Sequence, residues 1–146
     1  MPRMLSSLFF CLALLFTAAQ TADAEPVGVT AADRAAMQNV IRQQMDAFRR
    51  DDGQTAFSFA SPDIRRMFQT PEIFMSMVRQ GYAPVYRPRE VEFREVIERD
   101  GKVVQRVYVV GPDGTPVIAL YIMERQSNGI WKIGGCTLLK SDDVTA

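Results

Sequence analysis

The chain has 146 residues, of which 47% are hydrophobic and 23% are charged, and its 17 basic and 17 acidic residues leave no formal net charge. This length and composition predict one globular domain. A balanced charge argues against a nucleic-acid binder, which needs a basic surface, and against a protein held on anionic lipid. The sequence has no histidine, and two cysteines without a histidine do not make a typical zinc site. No metal ion or cofactor is therefore predicted.

The first 24 residues resemble a secretory signal peptide. Arg3 supplies a positive start, residues 5–19 are strongly apolar, and Ala22-Asp23-Ala24 has the small-x-small pattern of a cleavage site. The alternative is an uncleaved membrane anchor, but the apolar run is shorter than the ~20 residues that a spanning helix needs. We therefore expect a periplasmic or secreted protein, cleaved after Ala24, with no stable membrane insertion and with Cys136 as its one remaining cysteine.

A linker at 25–29 is expected to precede a helical half. Thr30 has the character of an N-cap with Asp33 at the third position of a capping box, and apolar residues at helical spacing predict a helix over 31–50. Shorter helices are predicted after three further start signals, which are Asp51-Asp52-Gly53, Ser61-Pro62-Asp63 and Thr70-Pro71-Glu72. The last of these helices is expected to end near Gly81. Because proline lacks an N–H, Pro84 and Pro88 predict an extended edge segment over 82–88 rather than a helix.

After residue 89 the apolar residues repeat at every second position. Four strands are predicted, at 89–98, 102–110, 116–125 and 130–140, joined by glycine-containing turns. The expected architecture is an α+β fold in which N-terminal helices pack on a curved, mainly antiparallel sheet of four to five strands. It forms a single domain over 30–140, followed by a tail at 141–146.

The turn at Asp100-Gly101 predicts the register of the first hairpin, with Glu95 opposite Arg106 and Phe93 opposite Tyr108. The face expected to pack on the helices carries Val91, Phe93, Ile97, Val104, Tyr108, Val110, Ile118, Leu120 and Ile122. The outer face carries Glu92, Arg94, Glu98 and Gln105 with Val107, Val109, Ala119, Tyr121 and Met123. So apolar an outer face favours a homodimer through it. Gly134-Gly135 is a candidate bulge that would change the facing of Trp131 and Cys136.

Nearly all of the chain after the signal segment resembles a bacterial family, domain of unknown function 4864. The segments that carry the resemblance are Asp46-Ala47-Phe48, Ala56 to Pro62, Met67-Phe68, Thr70-Pro71-Glu72, Met77 to Pro88, Val109 to Gly114 and Trp131 to Cys136. The order of helices and strands is also similar to the cone fold of the nuclear transport factor 2-like superfamily. That fold hosts enzymes and non-catalytic binding modules, so the resemblance implies no particular activity.

Two acidic residues are candidates for a catalytic base. Cone-fold enzymes resemble one another in placing an aspartate, histidine or tyrosine inside the cone, and Asp46 would act as a base if it pointed into a dry cavity. The alternative is a solvated or ion-paired helix residue. Glu95, with its expected inward partner Arg106, is the second candidate, and a structural ion pair is the alternative.

The candidate ligand-binding residues are Tyr82, Tyr86, Arg87, Arg106, Tyr108 and Met77. Tyr82, Tyr86 and Arg87 are predicted to line a mouth that holds a carboxylate or an aromatic group, the alternative being tyrosines packed on a helix. Met77 would belong to a methionine-lined pocket for an apolar ligand. Cys136 is expected to be a buried, inert thiol because no second cysteine or histidine can activate it.

We therefore expect a non-catalytic module of the cell envelope that binds a small, mostly apolar ligand or another protein. The alternative is a small isomerase-, lyase- or hydrolase-like enzyme with Asp46 or Glu95 as base and Tyr86 or Tyr108 as hydrogen-bond donor to an oxyanion. A purely structural subunit is a third possibility. The interior of the cone distinguishes them, since a cavity in which a desolvated carboxylate faces a tyrosine hydroxyl would favour the enzyme.

Overall fold

The computed structural model describes residue 26 and residues 28–141, so the predicted signal peptide and residues 142–146 of the tail lie outside it. The described part contains helices α1 Ala31–Arg49, α2 Gly53–Ser58, α3 Pro62–Phe68, α4 Pro71–Gly81 and α5 Ala83–Tyr86, then strands β1 Glu90–Arg99, β2 Lys102–Val110, β3 Pro116–Arg125 and β4 Trp131–Lys140. The strands form one antiparallel sheet in the order β1-β2-β3-β4. The predicted α+β fold is confirmed. Within the described range no helix has both the length and the apolar character to span a bilayer.

Helix α1 begins where the capping box predicts it. The Thr30 hydroxyl accepts a hydrogen bond from the Asp33 N–H at 3.1 Å, and the Asp33 carboxylate accepts one from the Thr30 N–H at 2.9 Å. These two bonds satisfy amides that a helix start otherwise leaves unpaired. The apolar stripe Met37, Ile41 and Met45 is buried against the rest of the core.

Asp33 also joins the start of α1 to the sheet. Its Oδ1 accepts hydrogen bonds from Arg125 Nη2 at 2.5 Å and from Trp131 Nε1 at 3.3 Å. Hydrogen bonds from Thr30, first from its backbone N–H and then from its hydroxyl, together with Trp131 and the charge of Arg125, hold the pKa of Asp33 below its ordinary 3.8. The charged form of Asp33 therefore stabilises the folded state.

This linkage predicts how stability depends on pH. The contribution of Asp33 is fully present above 3.8 and is lost as the pH falls through its lower folded pKa, because protonation must then break bonds made to the carboxylate. We expect the urea midpoint of the wild type to fall more steeply below about pH 4 than that of Asp33→Asn. Asp46→Asn, at an exposed position of α1, is the control and should retain the wild-type slope. Equal slopes for all three proteins would contradict the assignment.

The segment after α4 is helical, so the prediction of an extended edge at 82–88 is wrong. The amides of Tyr86 and Arg87 donate to the carbonyl oxygens of Tyr82 and Ala83, each at 3.0 Å. Pro84 lies in the first turn of α5, where the backbone N–H has no partner within the helix and its absence has little effect. Pro88 follows the helix and does not interrupt it.

Helix α5 leads into β1, and the first hairpin departs from the predicted register at one point. Arg99 pairs with Lys102 across the turn at Asp100-Gly101, but Phe93 pairs with Val107 instead of Tyr108 because the register shifts between Phe93 and Val96. A bulge of this kind inserts one extra residue and changes the facing of every residue beyond it.

The predicted facing of the sheet is wrong in its central strands. Two clusters of apolar side chains define the faces. On the helix face, Val107, Val109, Ala119, Tyr121 and Met123 belong to the main core with the helices. On the opposite face, called the open face below, Val104, Ile118 and Leu120 form a separate cluster with Ile97, Tyr108, Ile122 and Leu139. Both faces are apolar at their centres, so alternation alone did not identify the one that the helices cover.

Strand β4 contains the bulge that its glycines predict. Ile122 pairs with Gly135 and Met123 with Ile133, which leaves Gly134 as the extra residue. A Cβ on Gly134 would lie 2.6 Å from the carboxyl carbon of Glu124, so a side chain at this position would require the Glu124 side chain to move. The bulge keeps Ile133 and Cys136 in the same core. The homodimer through the outer sheet face stays a prediction, and the open face is the surface that would form its interface.

Candidate cavity between the helices and the sheet

A cavity of about 290 Å³ lies between helices α1, α3, α4 and α5 and the helix face of the sheet. Its lining is mostly aliphatic, aromatic and thioether. The lining residues are Gln44, Phe48, Ala60, Ile64, Met67, Phe68, Phe74, Met77, Val78, Tyr82, Val85, Tyr121, Ile133, Gly135 and Cys136. A concave apolar surface with few polar groups is the usual character of a small-molecule site.

Helix α3 forms the outer wall of the cavity. It begins at Ser61, whose hydroxyl accepts a hydrogen bond from the Ile64 N–H, and Pro62 occupies its first turn. None of its residues is buried, and Met67 is 69% exposed. Ile64 and Phe68 turn partly buried apolar surface toward the core. Exposed apolar surface at the wall of an apolar cavity is typical of a binding site rather than of a finished core.

Three polar side chains belong to the lining: Gln44 and Tyr121 are buried, Tyr82 is partly buried, and Gln44 and Tyr82 bond to backbone oxygens. Gln44 Nε2 donates to the carbonyl oxygen of Ala56 at 3.2 Å, and the Tyr82 hydroxyl donates to the carbonyl oxygen of Cys136 at 3.1 Å. Tyr121 is 1% exposed, and within the described residues no nitrogen or oxygen atom pairs with its hydroxyl. Its interaction is with the thiol of Cys136, which is only a weak hydrogen-bonding group. Buried hydroxyls without a strong partner are rare in folded proteins.

The fourth polar group is the thiol of Cys136, which lies opposite Tyr121 in the β3–β4 ladder. Burial raises the pKa of this thiol to about 12, and burial also raises the pKa of the Tyr121 and Tyr82 hydroxyls. A dry surrounding disfavours the charged form of any acid. The cavity therefore keeps its own acidic groups neutral.

The family model for Domain of unknown function (DUF4864) matches residues 30–146. The chain belongs to this family. No curated protein and no solved structure matches it. The cavity of this DUF4864 chain lies within the matched segment, since its lining runs from Gln44 to Cys136.

Two of the sequence-predicted ligand residues, Met77 and Tyr82, line the cavity. Met77 projects from α4, and Tyr82 lies at the junction of α4 and α5. The link from Tyr82 to the Cys136 carbonyl ties this junction to β4. The two residues therefore bring the helical wall and the sheet together around one space.

Tyr86 and Arg87 lie outside this lining, at the end of α1. The Tyr86 hydroxyl donates to Asp51 Oδ1, and Arg87 Nη2 donates to Asp51 Oδ2 at 3.0 Å. The Arg87 guanidinium also donates to the carbonyl oxygen of Phe48 and stacks 3.9 Å from the centre of the Tyr86 ring. The bond from Tyr86, followed by the charges of Arg87 and Arg79, holds the pKa of Asp51 below its ordinary value. These contacts fasten α5 to the C-terminus of α1.

Arg106 and Tyr108 belong to the open face, where Tyr108 packs in the cluster of Ile118. The expected ion pair between Arg106 and Glu95 is present. Arg106 lies opposite Leu120, a residue of the open-face cluster, so the expected inward facing of the pair is wrong. The guanidinium of Arg94 lies 5.2 Å from the centre of the Tyr108 ring.

Asp46 is solvent-exposed, with its Oδ1 accepting a hydrogen bond from Arg49 Nη1 at 2.7 Å. This is the ion-paired helix residue that was the alternative to a buried base. Neither Asp46 nor Glu95 belongs to the lining. The arrangement of a carboxylate facing a tyrosine hydroxyl does not occur among the described residues that line the cavity.

Sequence reasoning missed two polar residues of the cavity. Gln44 is a polar residue within the apolar stripe of Ile41 and Phe48, and such an interruption is the signal that could have marked it. Tyr121 was placed on the outer face because the facing of the central strands was reversed. A correct facing would have brought its hydroxyl into the interior.

Proposed function

We propose that this protein binds a small, mostly apolar molecule in the cavity as a non-catalytic module of the cell envelope. The observation that carries the proposal is an apolar space of about 290 Å³ with few polar groups. An apolar cavity of about 150 Å³ accommodates benzene, so the space here suits a ligand of roughly the size of a bicyclic aromatic ring. Binding sites of this kind are concave and mostly apolar.

The chemistry of the lining supports binding over catalysis. Met67 and Met77 adapt their shape to an occupant because the thioether side chain has several low-energy rotamers. Three phenylalanines provide flat apolar surface. The ring centre of Phe74 lies 6.3 Å from that of Phe48 and 5.9 Å from that of Phe68. Such a surface binds apolar molecules by burial and holds no acid or base in position for proton transfer.

The place of action rests on the amino-terminal pattern. A signal peptide ending at Ala24 would deliver residues 25–146 to the periplasm or the exterior. The order of helices followed by an antiparallel sheet supports a relation to the nuclear transport factor 2-like superfamily, whose members include binding modules.

Filling the cavity should weaken binding. Met77→Trp adds volume to the lining, and we expect it to weaken the binding of naphthalene by at least about tenfold. Ile73→Trp is the matched control, because Ile73 lies one turn earlier on α4, is 50% exposed and is outside the lining. Equilibrium dialysis measures both affinities, and circular dichroism checks that both variants fold.

Failure of naphthalene to bind the wild type would sink the proposal, as would equal affinities for wild type and Met77→Trp. Extraction of the protein purified from the cell envelope, followed by mass spectrometry of the released small molecules, identifies the natural occupant.

A further inference from the structure

We infer that the natural ligand is uncharged and carries a hydrogen-bond acceptor that pairs with the Tyr121 hydroxyl. The inference rests on the proposed function and adds the chemical class of the ligand. Two observations carry the inference: the described lining has no charged side chain, and the hydrogen bonds of its polar groups leave one hydroxyl without a strong partner.

The lining provides no compensation for a charge. None of the described residues around the cavity is an arginine, lysine, aspartate or glutamate. An ion moved from water into such a space loses its hydration and gains no partner, so an anionic ligand would bind in its neutral form or leave its charge outside. The pKa of about 12 for the Cys136 thiol records the same penalty on a group of the protein itself.

The hydrogen bonds of the lining point to Tyr121 as the group that recognises the ligand. The donors of Gln44 and Tyr82 are used by the carbonyl oxygens of Ala56 and Cys136. The Tyr121 hydroxyl is closed off from solvent and has no carbonyl partner among the residues described; it interacts with the thiol of Cys136, a much weaker acceptor than an oxygen atom. A carbonyl, ether or alcohol oxygen of the ligand would supply the missing acceptor. Flexible thioether side chains of the lining can move aside to admit it.

The test uses three naphthalenes of nearly equal size and shape, all substituted at the same ring position. Acetylnaphthalene carries a ketone acceptor, isopropenylnaphthalene replaces the carbonyl oxygen by a methylene group, and naphthoate is an anion near neutral pH. With the wild type we expect the ketone to bind about tenfold more tightly than the alkene, since one satisfied donor separates them. We expect naphthoate to bind at least about a hundredfold more weakly than the ketone.

The variant Tyr121→Phe removes only the hydroxyl. In it the ratio of ketone to alkene affinity should fall to about one while the alkene affinity stays unchanged. Tyr108→Phe is the matched control and should retain the wild-type ratio, because Tyr108 packs on the open face and is outside the lining. Equilibrium dialysis gives every ratio.

The outcomes separate the two proposals. If the wild type binds ketone and alkene equally, or if Tyr121→Phe keeps the preference, the role of Tyr121 is overturned and the apolar site stands. If naphthoate binds as tightly as the ketone, the requirement for an uncharged ligand is overturned. If naphthalene and all three derivatives fail to bind, the proposed function falls together with the inference. The comparison of ketone and alkene affinities in the wild type tests the role of Tyr121 even if Tyr121→Phe does not fold.

Discussion

In the folded protein, Cys136 should react with a disulfide reagent roughly a thousandfold more slowly than in the unfolded chain near pH 8. Only the thiolate attacks such a reagent. Burial raises the pKa of this thiol from 9.0 to about 12, and each unit reduces the thiolate fraction about tenfold well below the pKa. The measurement is the rate of release of the coloured thiol from Ellman's reagent, with and without guanidinium chloride, on the chain lacking residues 1–24.

The pH profile provides the control. The rate of the folded protein should keep rising about tenfold per pH unit across the range in which it stays folded, whereas the rate of the unfolded chain should level off above about pH 9. Part of the surface of Cys136 remains accessible, and Cys136 lines the cavity, so saturating naphthalene should slow the reaction further. A folded-state rate within tenfold of the unfolded rate would show that the thiol is not desolvated.

The local features of this fold were predictable because they depend on residues close in the chain. Thr30 and Asp33 cap α1 through bonds across three residues, and the same applies to Thr70 at the start of α4. The turn at Asp100-Gly101 joins β1 to β2 with the expected partners, since Asp100 and Gly101 both adopt positive φ. Caps and tight turns require specific residue types, so the sequence identifies them.

The facing of the sheet was not predictable, because it depends on contacts that are distant in the chain. The strands alternate between two apolar sets, and only packing against the helices decides that Val107 and Tyr121 are interior while Val104 and Leu120 are not. The bulge after Phe93 lacks the glycine signal that marked the bulge at Gly134. Tyr121 was therefore missed although its residue type was right for a site.

Some of the candidate ligand residues line the cavity and others do not, for a similar reason. Met77 follows from the apolar stripe of α4, whose inward side the helical period indicates. Arg87 appeared available for a ligand, but Asp51, which is 36 residues earlier, binds its guanidinium. Nothing in the local sequence signals that contact, since Asp51 is presented by a turn with positive φ at the end of α1. The sequence shows that a charged side chain such as Arg87 lies near a predicted pocket, but it does not show which distant residue pairs with that charge.

Replacing Gln105 should produce one of the largest losses of stability in the sheet. Gln105 has no exposed surface, and its Nε2 donates to the carbonyl oxygens of Arg94 at 2.7 Å and Arg106 at 2.9 Å. Arg94 lies in the bulge of β1, where the ladder is interrupted, so the side-chain amide takes the place of a missing backbone donor. Gln105→Met has a similar shape and no donor, and we expect the free energy of unfolding to fall by about 1–3 kcal/mol.

Gln105→Glu separates the loss of donors from a change of shape. The carboxylate places oxygens against two carbonyl oxygens and buries a charge without a partner, so we expect a loss of about 3–5 kcal/mol, larger than for Gln105→Met. Urea denaturation measures both values. Gln80→Met and Gln80→Glu, at an exposed position of α4, are the matched controls and should change stability by less than about 0.5 kcal/mol. If Gln105→Met proved as stable as the wild type, the carbonyl oxygens at the bulge would not depend on the side-chain amide, and the bulge would have to be held by the packing of Phe93 and Val96 alone.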